Sequence, residues 1–166
     1  MAVSTEVSTV SVADEVWIAA ALLHRELPDR EDFSVQEIVA RAEREGIHRP
    51  LRPGVYVHAL QHCVANRPPN PGRYRMLWAT GKSTRRLLRP TDEAHPARAG
   101  AKIVPSRPAI PSRYHVLLEW YEREYAPAYV PRHPLDALLD LSGLGKEVWT
   151  GVDPDAYVRQ LREGWE

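Results

Sequence analysis

His58 and His62 stand four residues apart, a spacing that puts two imidazoles on one helical face, where they could share a divalent metal. His48 and Cys63 are near in sequence, but no H-E-x-x-H arrangement is present, and helical phase turns Cys63 away from the histidines. The same pair better suits an outward, polar reading face. Ser142-Gly-Leu-Gly-Lys146 has the small residues and lysine of a phosphate loop without the G-x-x-x-x-G-K-[ST] spacing. Glu119, Glu122 and Glu124 could pair for acid–base work, yet their spacing places them on the solvated side of a helix carrying Trp120 and Tyr121. No nucleophile–base pair is legible. The expectation is a non-enzymatic protein, with no metal and no cofactor.

The charge pattern points elsewhere. The 22 basic and 22 acidic residues cancel over the whole chain, but not along it. Residues 1–45 carry net −6, residues 46–90 net +9 without a single carboxylate, and residues 91–166 net −3. The middle block holds Arg49, Arg52, Arg67, Arg73, Arg75, Lys82, Arg85, Arg86 and Arg89, with three histidines besides. Such segregation favours a polyanionic partner over a uniformly solvated surface.

The elements that must position these residues follow from periodicity and punctuation. With 166 residues, 43% hydrophobic and 27% charged, the chain can bury a core. It lacks an apolar run of about 18 residues, and its N-terminus lacks the basic flank and apolar centre of a signal peptide. One cysteine excludes a disulfide framework. A soluble, cytoplasmic protein without membrane contact is expected. Residues 1–11 read as a flexible N-terminus. A first helix spans 14–27, with Val16, Ala20, Leu23 and Leu27 on one face, stopped by Pro28. Ser34-x-x-Glu37 is a capping box for a second helix, with Phe33 stapled to Ile38 and Gly46 at the end. A third helix, 53–65, carries Tyr56, Ala59, Leu60, Cys63 and Val64 on its buried side and His58, Gln61, His62 and Ala65 outward. Segments 73–78 and 83–88 flank a glycine turn and read as a β-hairpin.

Fifteen prolines punctuate the rest, well above the usual ~5%. Residues 91–133 read as a proline-rich linker with one helix, 114–125, whose aromatic face suits a homodimer contact. Residues 134–166 form a helical C-terminal arm.

Three helices followed by a basic hairpin resemble a winged helix-turn-helix domain over residues 12–90. The connection between the second and third helices is about eight residues, longer than the usual three or four. The fold class expected is mainly α with a small β-hairpin (α+β). The resemblance implies double-stranded DNA as a partner, with Arg52, His58, Gln61 and His62 toward bases or phosphates, and Arg73, Arg75, Lys82, Arg85 and Arg86 on phosphates.

The terminus is more specific. The run G-x-G-K-x-x-W, then D-x-x-x-Y-V-R-x-L-R-x-x-W, resembles the toxin-neutralising tail of VapB-type antitoxins over residues 143–165. The resemblance implies a type II toxin–antitoxin pair whose toxin is a VapC-like PIN-domain ribonuclease. Leu144, Lys146, Trp149, Tyr157, Val158, Arg159, Leu161, Arg162 and Trp165 would be the toxin-binding residues. Arg159 or Arg162 would reach the toxin's metal-holding carboxylates. Independently, Tyr157, Leu161 and Trp165 form an i, i+4, i+8 stripe that needs a groove, in a partner or in the chain itself. A winged-helix interaction scaffold, or a transcription regulator without a toxin, is the alternative.

Overall fold

The computed structural model describes residues 10–129. The chain divides into two units at Val130–Pro131, and every described residue belongs to the first. The 134–166 arm therefore lies outside the described residues, as do residues 1–9 of the N-terminal run.

Helix α1 (Val12–Glu26) starts where Ser11 turns its hydroxyl oxygen to the Asp14 backbone N–H at 3.1 Å. The expected single apolar stripe is too narrow. Val16, Trp17, Ile18, Ala19, Ala20 and Ala21 are all buried, so α1 is covered on every side and forms the centre of the fold. Leu27, expected on that stripe, is the C-cap and is 44% exposed.

Phe33 and Ser34 form a two-residue strand, β1, that leads directly into α2 (Val35–Glu45). The capping box is present in both directions: Glu37 N–H donates to Ser34 Oγ at 3.1 Å, and Ser34 N–H donates to Glu37 Oε2 at 2.8 Å. Phe33 and Ile38 are fully buried, as the staple requires. Gly46 ends the helix at φ 69°, a left-handed conformation that a Cβ disfavours.

Helix α3 (Gly54–Val57) continues into a π-helical turn, His58–His62. The Cys63 N–H reaches back five residues to His58 O, at 2.9 Å. The wide turn inserts one residue into the repeat. The buried stripe of Ala59, Cys63 and Val64 therefore runs back to Val55, and Tyr56, expected inside, is 45% exposed. Ala65, expected outward, is buried.

The hairpin strands are shorter than expected: β2 (Leu77–Ala79) and β3 (Thr84–Leu87). β3 is central. It pairs antiparallel with β2 (Trp78 opposite Arg86) and with β1 (Phe33 opposite Arg85), giving the order β1-β3-β2. Asn66 extends β2 sideways by pairing its amide with both backbone groups of Ala79, at 2.9 and 3.0 Å.

The segment expected to be a linker is instead part of the core. His95 N–H donates to Ala65 O at 2.7 Å, and Arg75 N–H to Lys102 O at 2.8 Å. Short 3₁₀ turns at Pro96–Arg98, Arg107–Ala109 and Ser112–Tyr114 lead to α4 (His115–Trp120), a π-helical turn (Tyr121–Tyr125) and the short α5 (Ala126–Ala128). Ile110, Tyr114, Leu117, Leu118, Tyr121 and Tyr125 join the same apolar cluster as α1. Tyr121 meets Trp17 edge-on at 6.0 Å, and its hydroxyl donates to Leu88 O at 2.6 Å; Tyr125 donates to Leu87 O at 2.9 Å. The aromatic face assigned to a dimer contact is thus largely consumed within the chain. A boundary at residue 90 would strip that cover from α1. The described chain is a mixed α+β structure, helices around a three-stranded antiparallel sheet. No described helix is long and apolar enough to cross a membrane.

Candidate nucleic-acid interface

The basic block separates into groups with different surroundings. Arg85 is fully buried on β3. Its Nε donates to Ala59 O at 3.2 Å and its Nη2 to Leu60 O at 3.1 Å, while Nη1 binds Thr84 O and Gly81 O. Burial pulls its pKa down to about 10, so it remains a cation at neutral pH. Arg86, also buried, makes a bidentate pair with Asp92 at 2.6 and 2.8 Å and lies over the Trp78 ring at 5.5 Å. Burial opposes its charge, but the Asp92 carboxylate more than compensates and the pKa rises. Neither side chain can reach a phosphate without dismantling the fold, which corrects the expectation for both.

Arg52 is likewise directed inward, to the fully buried Glu15 carboxylate at 2.5 Å. Arg75 is half-buried and donates to Ala101 O at 2.9 Å. Arg89 lies over the Tyr129 ring at 3.7 Å and pairs with Glu31 at 3.3 Å.

The remainder face solvent. Arg73 and Lys82 are exposed, Lys82 at the hairpin tip. Arg49 is exposed and Arg67 half-buried, although neither stood out within the block. These four have no carboxylate partner among the described residues.

On the π-helical turn that continues α3, Gln61 is exposed and the two histidines are half-buried. His58 Nδ1 lies 2.9 Å from Gly54 O, so Nδ1 carries the proton and Nε2 the lone pair. Burial lowers the His58 pKa against the opposing pull of that carbonyl. The His58 and His62 rings meet edge to face at 4.8 Å, and His62 is covered by Gly72, where a Cβ would come within 2.6 Å of it. Among the described residues no group of three or more His, Cys, Asp or Glu side chains could hold a metal. Cys63 is buried, and burial pushes its thiol pKa up, away from reactivity.

A residue from the supposed linker holds the backbone beneath these side chains. Arg98 is fully buried and donates to Gln61 O, His62 O, Arg67 O, Pro68 O and Tyr74 O at 2.6–3.3 Å. Its position among prolines and alanines carries no periodic signal. The toxin-directed residues Leu144, Lys146, Trp149, Tyr157, Val158, Arg159, Leu161, Arg162 and Trp165 lie outside the described residues.

No family model, no curated protein and no solved structure matches this chain.

Proposed function

We propose that the described unit is a winged helix-turn-helix module that binds double-stranded DNA, and that the chain is the antitoxin of a type II pair. In this reading the C-terminal run 143–165 neutralises a PIN-domain ribonuclease. The observation that carries the DNA half is topological. The order α1-β1-α2-α3-β2-β3, with β1 beside β3, supports the winged-helix reading. The reading uses a smaller cationic footprint than composition suggests: Arg49, Arg67, Arg73 and Lys82, with Gln61 and His62 on the π-helical turn. The antitoxin half rests on the ordered run Gly143 to Trp165.

Co-expression tests it. A PIN-domain ribonuclease encoded beside this chain arrests growth when produced alone, and the full chain relieves the arrest. Trp149→Ala with Trp165→Ala abolishes relief while leaving DNA binding unchanged. Relief that survives both substitutions overturns the toxin-binding assignment.

A second reading, a protein-interaction scaffold, is favoured by one observation. Tyr56 (45% exposed) and Val57 (38% exposed) place apolar surface on α3, where a DNA reader usually carries polar groups. DNA affinity that does not change with salt would favour the scaffold.

A further inference from the structure

Along α3 and its π-helical turn, Tyr56, Val57 and Gln61 are exposed, while His58, Leu60 and His62 are half-buried. None of the six bears a guanidinium, an ammonium or a carboxylate. Val57 and Gln61 stand four residues apart and share one side of the helix. The guanidinium groups beside them are committed elsewhere: Arg52 to the Glu15 carboxylate, Arg85 to Ala59 O and Leu60 O, and Arg98 to Gln61 O and His62 O. Free positive charge lies at the margin instead. Gly72 packs on His62, the exposed Arg73 follows it, and residues 46–90 hold no carboxylate. Resting on the DNA reading above, we infer that this segment reads A·T base pairs in the major groove, with Val57 against thymine methyl groups and Gln61 on adenine.

The match is one of hydrogen-bond pattern. Guanine turns two acceptors, N7 and O6, into the major groove and is met by arginine or lysine, which supply donors alone. Adenine turns out one acceptor and one donor, N7 and the N6 amino group, and a glutamine carboxamide complements both. His58 does not replace a guanidinium: its Nδ1 is committed to Gly54 O at 2.9 Å, which leaves Nε2 as an acceptor. The exposed apolar surface also gains a counterpart. The thymine C5 methyl is the apolar group of that groove, and Val57 fits it where it would fit no phosphate. Arg98 fixes the backbone that presents Gln61, because it binds the carbonyls of both Gln61 and His62.

The test uses the full chain and a pool of DNA duplexes with a randomised centre, bound at several salt concentrations and then sequenced. The recovered duplexes share A·T pairs at fixed positions. In them, deoxyuridine in place of thymidine removes only the methyl group, and 7-deazaadenine in place of adenine removes only the N7 acceptor. The first analogue weakens binding by the wild-type chain several-fold and the second roughly tenfold. Val57→Ser loses the response to deoxyuridine and keeps that to 7-deazaadenine; Gln61→Ala does the reverse. Gln61→Arg moves the recovered purine from adenine to guanine. Both side chains are exposed, so the fold survives the changes. Binding without base preference, recovered G·C pairs, A·T pairs indifferent to both analogues, or variants that keep the full wild-type response overturn this inference and leave the DNA reading standing. Absence of salt-dependent binding to any duplex overturns the DNA reading, and this inference with it.

Discussion

Arg85 and Arg98 divide between them the four carbonyls that close the π-helical turn after α3. Arg85 takes those of Ala59 and Leu60, and Arg98 those of Gln61 and His62. A helix leaves its last carbonyls unpaired, and a buried end must find donors for them. Here the donors come from β3 and from the strap, so one helix end joins the hairpin to residues 96–98. The positive groups also face the negative end of the helix dipole.

Replacing Arg98 removes donors from five part-buried carbonyls, of which that of Gln61 keeps the Val64 N–H. Arg98→Met is expected to cost about 3 kcal/mol, because several of the other carbonyls lose their donor. Arg98→Lys recovers little of that, since one ammonium cannot span five acceptors that a planar fork reaches. Urea unfolding of both variants measures the difference, and near-native stability in Arg98→Lys would show the carbonyls to be otherwise satisfied.

His24 sets an acid limit. Its Nε2 accepts the Leu87 N–H at 3.2 Å, and burial, with Arg89 and Arg86 nearby, lowers its pKa from 6.5 to about 4. The unfolded chain takes the proton first as pH falls. Stability is therefore full above pH 6.5 and declines between pH 6.5 and 4, by roughly 3 kcal/mol at most. Glu37, lowered to about 2 chiefly by its bond to Arg30, acts in a separate window below pH 4.5. His24→Gln keeps an acceptor and cannot titrate, so its denaturation midpoint should be flatter between pH 7 and 4.5.

The two tyrosine hydroxyls that hold the end of β3 are separable from their rings. Tyr121→Phe and Tyr125→Phe each lose a buried bond and should cost about 1 kcal/mol. The rings stack at 5.5 Å and bind adjacent carbonyls, so the double variant should depart from additivity. Strictly additive losses in thermal unfolding would refute a shared anchoring of Leu87 and Leu88.

DNA binding, if the proposed reading holds, should follow exposure rather than charge count. About four phosphate contacts give a salt slope near −3.6 in log K against log salt. Arg73→Ala and Lys82→Ala should each make the slope shallower by about 0.9 without loss of stability. Arg86→Ala should instead destabilise the fold around β3, because it strands Asp92, whose side chain is only 8% exposed. Fluorescence anisotropy across salt concentrations, with melting curves alongside, separates the two behaviours.

Local chemistry was legible because its partners are close in the chain. Ser34 and Glu37 cap each other across three residues, and Gly46 needs only its own backbone angle, so both follow from spacing. The mixed α+β class followed from the same periodicities. The two-residue β1 carries no alternation to read, and it exists only because β3 arrives to pair with it. The π turn in α3 shifts the buried stripe from Tyr56 to Val55 by a change of hydrogen-bond partner that composition does not record.

A count of guanidinium groups determined that residues 46–90 are cationic, and nothing in that count distinguishes Arg73 from Arg85. The distinction is made by groups far along the chain: Glu15 for Arg52, the carbonyls of the π-helical turn for Arg85, and Asp92 behind its turn for Arg86. A charge is compensated by whatever lies within a few ångströms in space, and only the folded chain decides what that is. For the same reason the proline-rich strap, read locally as a linker, became the cover of α1 once Arg98 and Tyr121 found their acceptors.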